Sequence, residues 1–354
     1  MSKHLFGLIV TPYGAAANNR GENEGNITTL QKILWKNEVH TTVSAEAIRW
    51  ALRYFWQRRN GKDSVNRRWN DETGEHEWQD QTWRSWTSSD EKLRAESTFI
   101  DDDAMGFMLA EAASTDGNDA VDSLKEDKKL LDAEFKKLSK DEQKDAEGKS
   151  LKERIKLLTD QIKVLSQGTT DKRRGALEVT RAISLAPFAG DITFNAKSGR
   201  KTNVSLYGTE VHATRYQYGV ALTPESLREP KRTLDVIDAV AGLSEVAGNQ
   251  SRFLYDFAPD SIVFRWADDF APRILYGFEM DSGANISFPA VLQKVKTGDV
   301  SAGELFIGGS IVGRLSDEEK NLLHQEGKGA FLHEGVKATV ERLKEQVRKD
   351  LGVS

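Results

Sequence analysis

The chain has 354 residues, with 50 basic and 55 acidic side chains, six histidines and no cysteine. The absence of cysteine excludes a disulfide scaffold, a thiolate zinc site and a cysteine nucleophile. Averaged over the chain, the formal charge of -5 argues against a nucleic-acid binder, so the local distribution of charge has to decide.

The opening Met1-Ser2-Lys3-His4-Leu5-Phe6 has too short an apolar run for a signal peptide. No window approaches about 18 consecutive apolar residues, so a soluble, cytoplasmic protein without a membrane span is expected. Residues 5–11 form a short apolar run ending in Thr-Pro-Tyr-Gly, which predicts a buried strand and a loop. Residues 43–57 carry one apolar stripe (Val43, Ala47, Ile48, Ala51, Leu52, Phe55) and predict a helix capped by Ser44. Residues 177–185 and 214–222 alternate and predict strands. Residues 233–246 predict an amphipathic helix closed by Gly248. Residues 261–266 and 273–280 read as strands around a turn containing Pro272. Ser316-Asp-Glu-Glu319 is a capping box opening a C-terminal helical region. The order strand–helix–strand–strand–helix–strand suits an α+β, RRM-like (ferredoxin-like) sheet split by long insertions.

One insertion differs from the rest. Residues 122–163 hold 23 charged side chains in 42, 12 of them basic and 11 acidic. Leu151, Ile155, Leu158, Ile162 and Leu165 step by four and three, and Leu124, Leu131 and Leu138 repeat every seven beside Phe135. Both are coiled-coil seams, so an antiparallel helical hairpin is expected, a charged solvated arm compatible with a protein partner.

Enzyme motifs are few. The phosphate loop, the Gly-x-Gly-x-x-Gly turn, the Gly-x-Ser-x-Gly elbow and His-Glu-x-x-His are all missing. Asp101-Asp102-Asp103 could offer oxygen ligands to magnesium, but consecutive side chains diverge and acidic residues at a helix start are ordinary dipole compensation.

Basic and polar segments say more. Asn18, Arg20 and Asn26 lie in a glycine-bearing loop after the first strand. Arg49 and Arg53 sit one turn apart on the first helix, and Arg58, Arg59, Lys62, Arg67 and Arg68 continue the run. Residues 172–201 hold seven basic side chains (Arg173, Arg174, Lys197, Arg200 and Lys201 among them) against Glu178 and Asp191. Asn249, Gln250 and Arg252 follow the second long helix. Seven of eight tryptophans fall between Trp35 and Trp86, interleaved with arginines. Tryptophan at helical spacing is more often core, yet exposed indoles stack on unpaired bases. Together these segments favour single-stranded nucleic acid.

The ordered motifs carry a resemblance. Asn18-Asn-Arg-Gly with Gly25-Asn-Ile, then Val43-Ser-Ala-Glu-Ala-Ile-Arg-Trp-Ala-Leu-Arg53, resembles the opening of the DevR-type CRISPR-associated backbone proteins. These are the Cas-seven subunits of type I RNA-guided surveillance complexes (Cascade). The resemblance continues through Phe99-Ile-Asp-Asp-Asp-Ala-Met-Gly-Phe-Met108, Arg173 to Ser184, His212-Ala-Thr-Arg-Tyr-Gln-Tyr218 and Gly248-Asn-Gln-Ser-Arg-Phe253. It covers residues 1 to about 280; the 122–170 hairpin is longer than the family pattern and residues 313–354 match loosely.

The resemblance implies a hand-shaped fold. Its RRM-like palm would be 1–56, 181–188 and 212–312, its fingers 57–180 with the hairpin at 122–167, and its β-hairpin thumb 189–211, followed by a C-terminal helical region at 313–354. Copies would polymerise along one CRISPR RNA, each thumb kinking out every sixth nucleotide and leaving the spacer to pair with target DNA, in interference or RNA-guided transposition. Such a subunit is non-catalytic, with no metal and no cofactor. It would contact phosphates and 2′-hydroxyls rather than base edges. Ser44, Arg49, Arg53, Asn18, Arg20, Asn26, Arg173, Arg174, Lys197, Arg200, Lys201, Asn249, Gln250 and Arg252 would be the RNA-binding residues. The implied partners are the CRISPR RNA, the target strand, neighbouring copies, the other Cascade subunits (hairpin-capping, large and RNA-processing) and, in a transposon setting, a transposition adaptor. Two alternatives stand: a metal-dependent ribonuclease of the same fold using Asp101 to Asp103, and an interaction scaffold using the hairpin without RNA.

Overall fold

The computed structural model describes residues 2–18, 20–81, 83, 86, 99–110, 115–139, 145–166, 170–196, 206–248, 254–324 and 329–353. In chain order the elements up to the first long helix are β1 (His4–Val10), β2 (Gly14–Ala16), β3 (Arg20–Glu24), β4 (Ile27–Leu30), β5 (Lys32–Trp35), β6 (Glu38–Val43) and α1 (Ala45–Asn60). Then come β7 (Arg67–Asn70), β8 (Glu75–Trp78), α2 (Ile100–Met105), β9 (Gly106–Ala110), α3 (Thr115–Lys137), α4 (Ala146–Ser166), β10 (Thr170–Arg174), β11 (Leu177–Val179) and β12 (Ala182–Ser184). β13 (Ile192–Ala196), β14 (Leu206–Glu210), β15 (His212–Thr214), β16 (Tyr216–Leu222), α5 (Arg232–Ala241) and β17 (Ser261–Ala267) follow. The last stretch holds β18 (Glu279–Met280), β19 (Ile286–Ser287), α6 (Pro289–Thr297), β20 (Leu305–Gly309), α7 (Ser310–Arg314), α8 (Asp317–Leu323), β21 (Phe331–His333) and α9 (Val336–Leu351).

Contacts divide the chain into two compact units, residues 1–106 with 175–354 and residues 107–174. The first unit is built on a nine-stranded sheet in the order β21-β20-β17-β1-β16-β12-β6-β5, with β11 also on β16. β1 is buried along its whole length because both faces are covered. Its Leu5 and Ile9 join a core with α1 (Ile48, Leu52, Trp56), α5 (Val236, Ile237, Val240) and α9 (Val340, Leu343, Val347). Phe6, Leu8 and Val10, pointing the other way, join a second core with α6 (Val291, Leu292, Val295), Phe278, Phe288 and Ile311. The unbroken apolar run of β1 is therefore the mark of a central strand in three layers. Its antiparallel partners are β16 (Leu8 opposite Gly219) and β17 (Leu8 opposite Val263).

A smaller sheet in the order β13-β14-β4-β3 joins residues 20–30 to residues 192–210. The helix after Ser44 starts as its cap predicts, with Ser44 Oγ accepting the Ala47 N–H at 3.2 Å. Val43 is the end of β6 rather than a helix residue. The Ser316 capping box is formed in both directions.

Three expectations change. The helix predicted over 233–246 ends at Ala241, with Gly242, packed against the Phe55 ring where no side chain fits, as its C-cap, and the chain then runs irregularly to Gly248. Of residues 273–280 only Glu279 and Met280 form a strand; Arg273 and Tyr276 adopt positive φ (58° and 54°) and bend the segment. The run 177–185 is two short strands, broken where Thr180 Oγ1 accepts the Gly219 N–H at 2.8 Å.

The second unit holds the pair β9 and β10 and the two long helices α3 and α4, which pack on each other. The seam positions Leu124, Leu131 and Phe135 on α3, Leu138 just past its end, and Leu151, Ile155 and Leu158 on α4 are all half-buried. The side chains of Ile162 and Leu165 lie outside the described residues. Among the described residues no helix is long and apolar enough to cross a membrane.

Candidate nucleic-acid interface

The candidate contacts fall into several local settings. On α1, Arg49 and Arg53 lie one turn apart and both reach the short helix α2. Arg49 Nη2 donates to the Met105 carbonyl at 2.6 Å, and Arg53 Nε donates to Asp101 Oδ2 at 3.0 Å. Arg67, opening β7, gives its backbone N–H to the same Asp101 oxygen at 3.1 Å. Burial first, and then the positive charge of Arg53, lower the pKa of both Arg49 and Arg67. Neither can deprotonate near neutrality, so Arg53, paired with Asp101, is flanked by two further guanidiniums, and Glu46 and Glu178 offset part of the charge at Arg49. The next carboxyl, Asp102, is pushed up to about 7 by burial and by Asp101, so it adds less than a full countercharge. An incoming anion relieves this imbalance, and a phosphate presents oxygens suited to guanidinium forks.

Half-buried aromatics flank the cluster. Trp50 stacks on Tyr54 (5.3 Å, 11°), meets Trp69 edge-on at 5.7 Å, and Trp69 meets His76 at 5.1 Å. Gln57 holds this ladder by donating to the Trp69 carbonyl and accepting from its N–H, both at 2.7 Å. Arg67 lies over the Trp78 ring at 5.4 Å. These residues place the interleaved tryptophans of the sequence in two classes. Trp56 and Trp83 are buried, as is the distant Trp266, whereas Trp50, Trp69 and Trp78 are only half-buried.

Asn18 joins two of the predicted segments. Its side chain is buried and Nδ2 donates to the Val246 carbonyl at 3.3 Å, while Oδ1 has no hydrogen-bond partner among the described residues. Asn249, Gln250 and Arg252 follow three to six residues later and lie outside the described residues. Asn26 is exposed in the turn between β3 and β4, where Gly25 has a φ of 62° and the Asn26 carbonyl accepts the Gly208 N–H at 2.8 Å. The Asn26 turn thus belongs to the same small sheet as the β13–β14 hairpin, whose connecting residues Lys197, Arg200 and Lys201 are outside the described residues. Arg20 opens β3, its side chain likewise not described. Arg173 and Arg174 lie on β10, in the second unit, and both have interaction partners. Ser44 is engaged as the α1 cap. Further along the basic run, Arg58, Arg59 and Arg68 pair with Asp71, Asp238 and Glu77 at 3.8, 3.0 and 2.9 Å, as a solvated charged face does.

The aspartate triplet fills the first turn of α2, as its sequence suggests, but no side chain caps this helix and the three carboxylates take different partners. Asp101 takes Arg53 and the Asn66 and Arg67 N–H groups; Asp102 takes Asn66 Nδ2 and Trp83 Nε1, both at 2.9 Å; Asp103 takes Arg232 Nη1 at 2.8 Å and the Arg228 and Glu229 N–H groups. Three buried carboxylates therefore dock one turn of helix onto three neighbours, a role added to their place at the helix start. Gly175 completes the arrangement, because a Cβ there would lie 2.5 Å from the Met105 carbonyl oxygen that Arg49 uses.

The His212 segment is a buried network. His212 Nε2 faces the Pro187 carbonyl at 3.1 Å and so carries the proton; Nδ1 accepts from the Thr41 hydroxyl at 2.7 Å, which in turn accepts from Tyr216 at 2.8 Å. Burial lowers the His212 pKa to about 4 and keeps the ring neutral.

Sequence reasoning gave Arg67 and His76 no place among the contacts. The signal was the alternation Arg67, Trp69 and His76, Trp78 on one face of the β7–β8 hairpin, visible only once the pairs Arg67–Trp78 and Trp69–His76 are known.

No protein-family model matches the chain. A protein of Myxococcus xanthus (strain DK1622) described as "CRISPR-associated protein Cas7/Cst2/DevR" is 43% identical over 362 residues, covering 99% of this chain and all of the relative. Among solved structures, a chain of a "CRISPR RNA-guided surveillance complex, pre-nicking" superimposes with a TM-score of 0.47 at 10% identity, over 98% of this chain and all of that one. A chain of a "CRISPR RNA-guided surveillance complex" gives 0.47 at 12% identity, over 98% and 99%.

Proposed function

Because this chain belongs to the Cas7/Cst2/DevR family of CRISPR-associated proteins, we propose that it is a non-catalytic backbone subunit that binds CRISPR RNA and lines up in copies along it. The observation that carries the reading is identity at 43% along the whole length of both chains. The guanidinium cluster of Arg49, Arg53 and Arg67 supports it from the physics, since its surplus charge favours phosphates and reads no base. In this reading the sheet of the first unit is an RRM-like palm, a view supported by the strand order β17-β1-β16-β12 with α1 and α5 as crossovers. The β13–β14 hairpin is the thumb and the second unit belongs to the fingers. Asn18, Asn26 and the 249–252 segment line the same RNA as Arg49 and Arg53, with Arg20, Arg173, Arg174, Lys197, Arg200 and Lys201 adding charge.

The spacer so held would pair with target DNA, and the partners would be other Cascade subunits, with a transposition adaptor in a transposon setting. The non-catalytic reading is favoured over the ribonuclease because Asp101, Asp102 and Asp103 are each committed to a different set of donors.

The test is binding of unrelated guide RNAs across a salt series. Affinity should be alike for all spacers and fall with salt at a slope of about -0.7 per phosphate contacted. Arg49→Ala should lower affinity and slope for every spacer equally. A loss confined to some spacers, or magnesium-dependent cleavage abolished by Asp102→Ala, would overturn the proposal.

A further inference from the structure

The charged hairpin has an apolar face that its own seam does not use. Leu131 and Leu158 are sheltered between α3 and α4, but their neighbours Leu130 and Leu157 are 69% and 60% exposed. The four leucines line one shallow groove of about 440 Å³ whose remaining walls are Asp127 and Arg154. Neither of these two charges has a partner among the described residues. An isolated exposed leucine is unremarkable, but two on adjacent helices opening onto one groove make an unpartnered contact face.

The placement of the two charges identifies the occupant. Residues 127–131 and 154–158 lie at similar distances from the connection between the helices, and α3 and α4 run in opposite directions. Asp127 stands one turn before its leucines on α3, and Arg154 one turn before its leucines on α4. Along the hairpin they therefore lie on opposite sides of the apolar patch. A second hairpin laid face to face and reversed end for end brings each Asp127 level with the other's Arg154. The same reversal sets Leu130 near its own copy. This is the self-complementarity that a two-fold contact requires.

We propose that this groove is a self-association surface, in which the hairpins of two copies of the chain pack antiparallel as a four-helix contact with Asp127 and Arg154 paired across it. The inference rests on the hairpin alone and does not depend on the reading of the chain as an RNA-bound subunit. Two exposed leucines from each copy and two ion pairs form a contact smaller than a standard interface, so association is weak, concentration-dependent and weakened by salt.

Because the chain has no cysteine, a single introduced thiol reports the contact cleanly. The full-length Leu130→Cys chain, oxidised at tens of micromolar, is expected to form a disulfide dimer roughly tenfold faster than Lys136→Cys, whose thiol would lie on another face. Adding Asp127→Lys should slow cross-linking to the control rate, and adding Arg154→Glu to that variant should restore it. Sedimentation equilibrium of the uncysteinylated variants should show the same order, with circular dichroism unchanged. Equal rates at the two cysteine positions would overturn the proposal. So would failure of the double charge reversal to restore association, or a chain that stays monomeric and cross-links through Leu130→Cys only to a different subunit.

Discussion

Arg49 and Arg53 share a helix face but differ in what they hold, and their substitutions should separate accordingly. Arg53 faces a carboxylate that is 1% exposed, so Arg53→Ala leaves a buried charge short of its partner. The expected loss is about 3 kcal/mol, read from the urea midpoint. Arg49 donates to a neutral carbonyl, and Arg49→Ala should cost only about 1 kcal/mol while still weakening RNA binding. His212 supplies a pH test. Its folded pKa is depressed below the ordinary 6.5 to about 4, so folding is favoured while the ring is neutral. That stability is complete above pH 6.5 and is lost as pH falls toward 4, by about 2 kcal/mol at pH 5. Asp102 acts in the opposite sense: its raised pKa means stability is present at low pH and lost as pH rises toward 7. His212→Gln should therefore flatten the acid side of the stability curve relative to the parent chain. An unchanged difference between pH 7 and pH 5 would contradict the buried neutral ring.

At the scale of elements, α2 is the part whose role depended most on tertiary contacts. Three adjacent aspartates before an apolar run read naturally as a helix start, and nothing in their spacing reveals Arg53, Trp83 and Arg232 as separate partners. The close approach of Gly175 to Met105 was equally hidden. Gly175→Ala should push α2 away and destabilise the chain by about 2 kcal/mol, with the Arg49 contact strained in consequence. Local signals did fix other elements: Ser44 caps α1, Ser316 caps α8, and the unbroken apolar run of β1 marks a doubly covered strand. They failed where packing overrode pattern, at Gly242 under Phe55 and at the positive-φ bends of Arg273 and Tyr276. The hairpin lay between these cases. Its seam was legible from heptad spacing, but the exposure of Leu130 and Leu157 was not, because both neighbour seam leucines.

Over the whole molecule, the net charge of -5 hid a segregation of sign. Basic side chains gather in residues 1–59 and 172–201, while pairs such as Arg59–Asp238 and Arg68–Glu77 neutralise others locally. The arginines that remain crowded against each other, Arg49, Arg53 and Arg67, are the ones an RNA phosphate would relieve. The division at residues 106/107 and 174/175 also makes a prediction. Replacing residues 115–166 with a short Gly/Ser linker should leave the thermal transition of the first unit in place, since among the described residues neither of its two cores includes a side chain of that segment. A chain that no longer folds after this replacement would show that the units are not independent. The central claim, that the protein holds a guide RNA, is tested most directly by purifying it after coexpression with a CRISPR array and the other subunits. The account predicts that a discrete guide-length RNA, its spacers drawn from the whole array, copurifies with the full-length chain; a protein recovered in the complex without that RNA would contradict it.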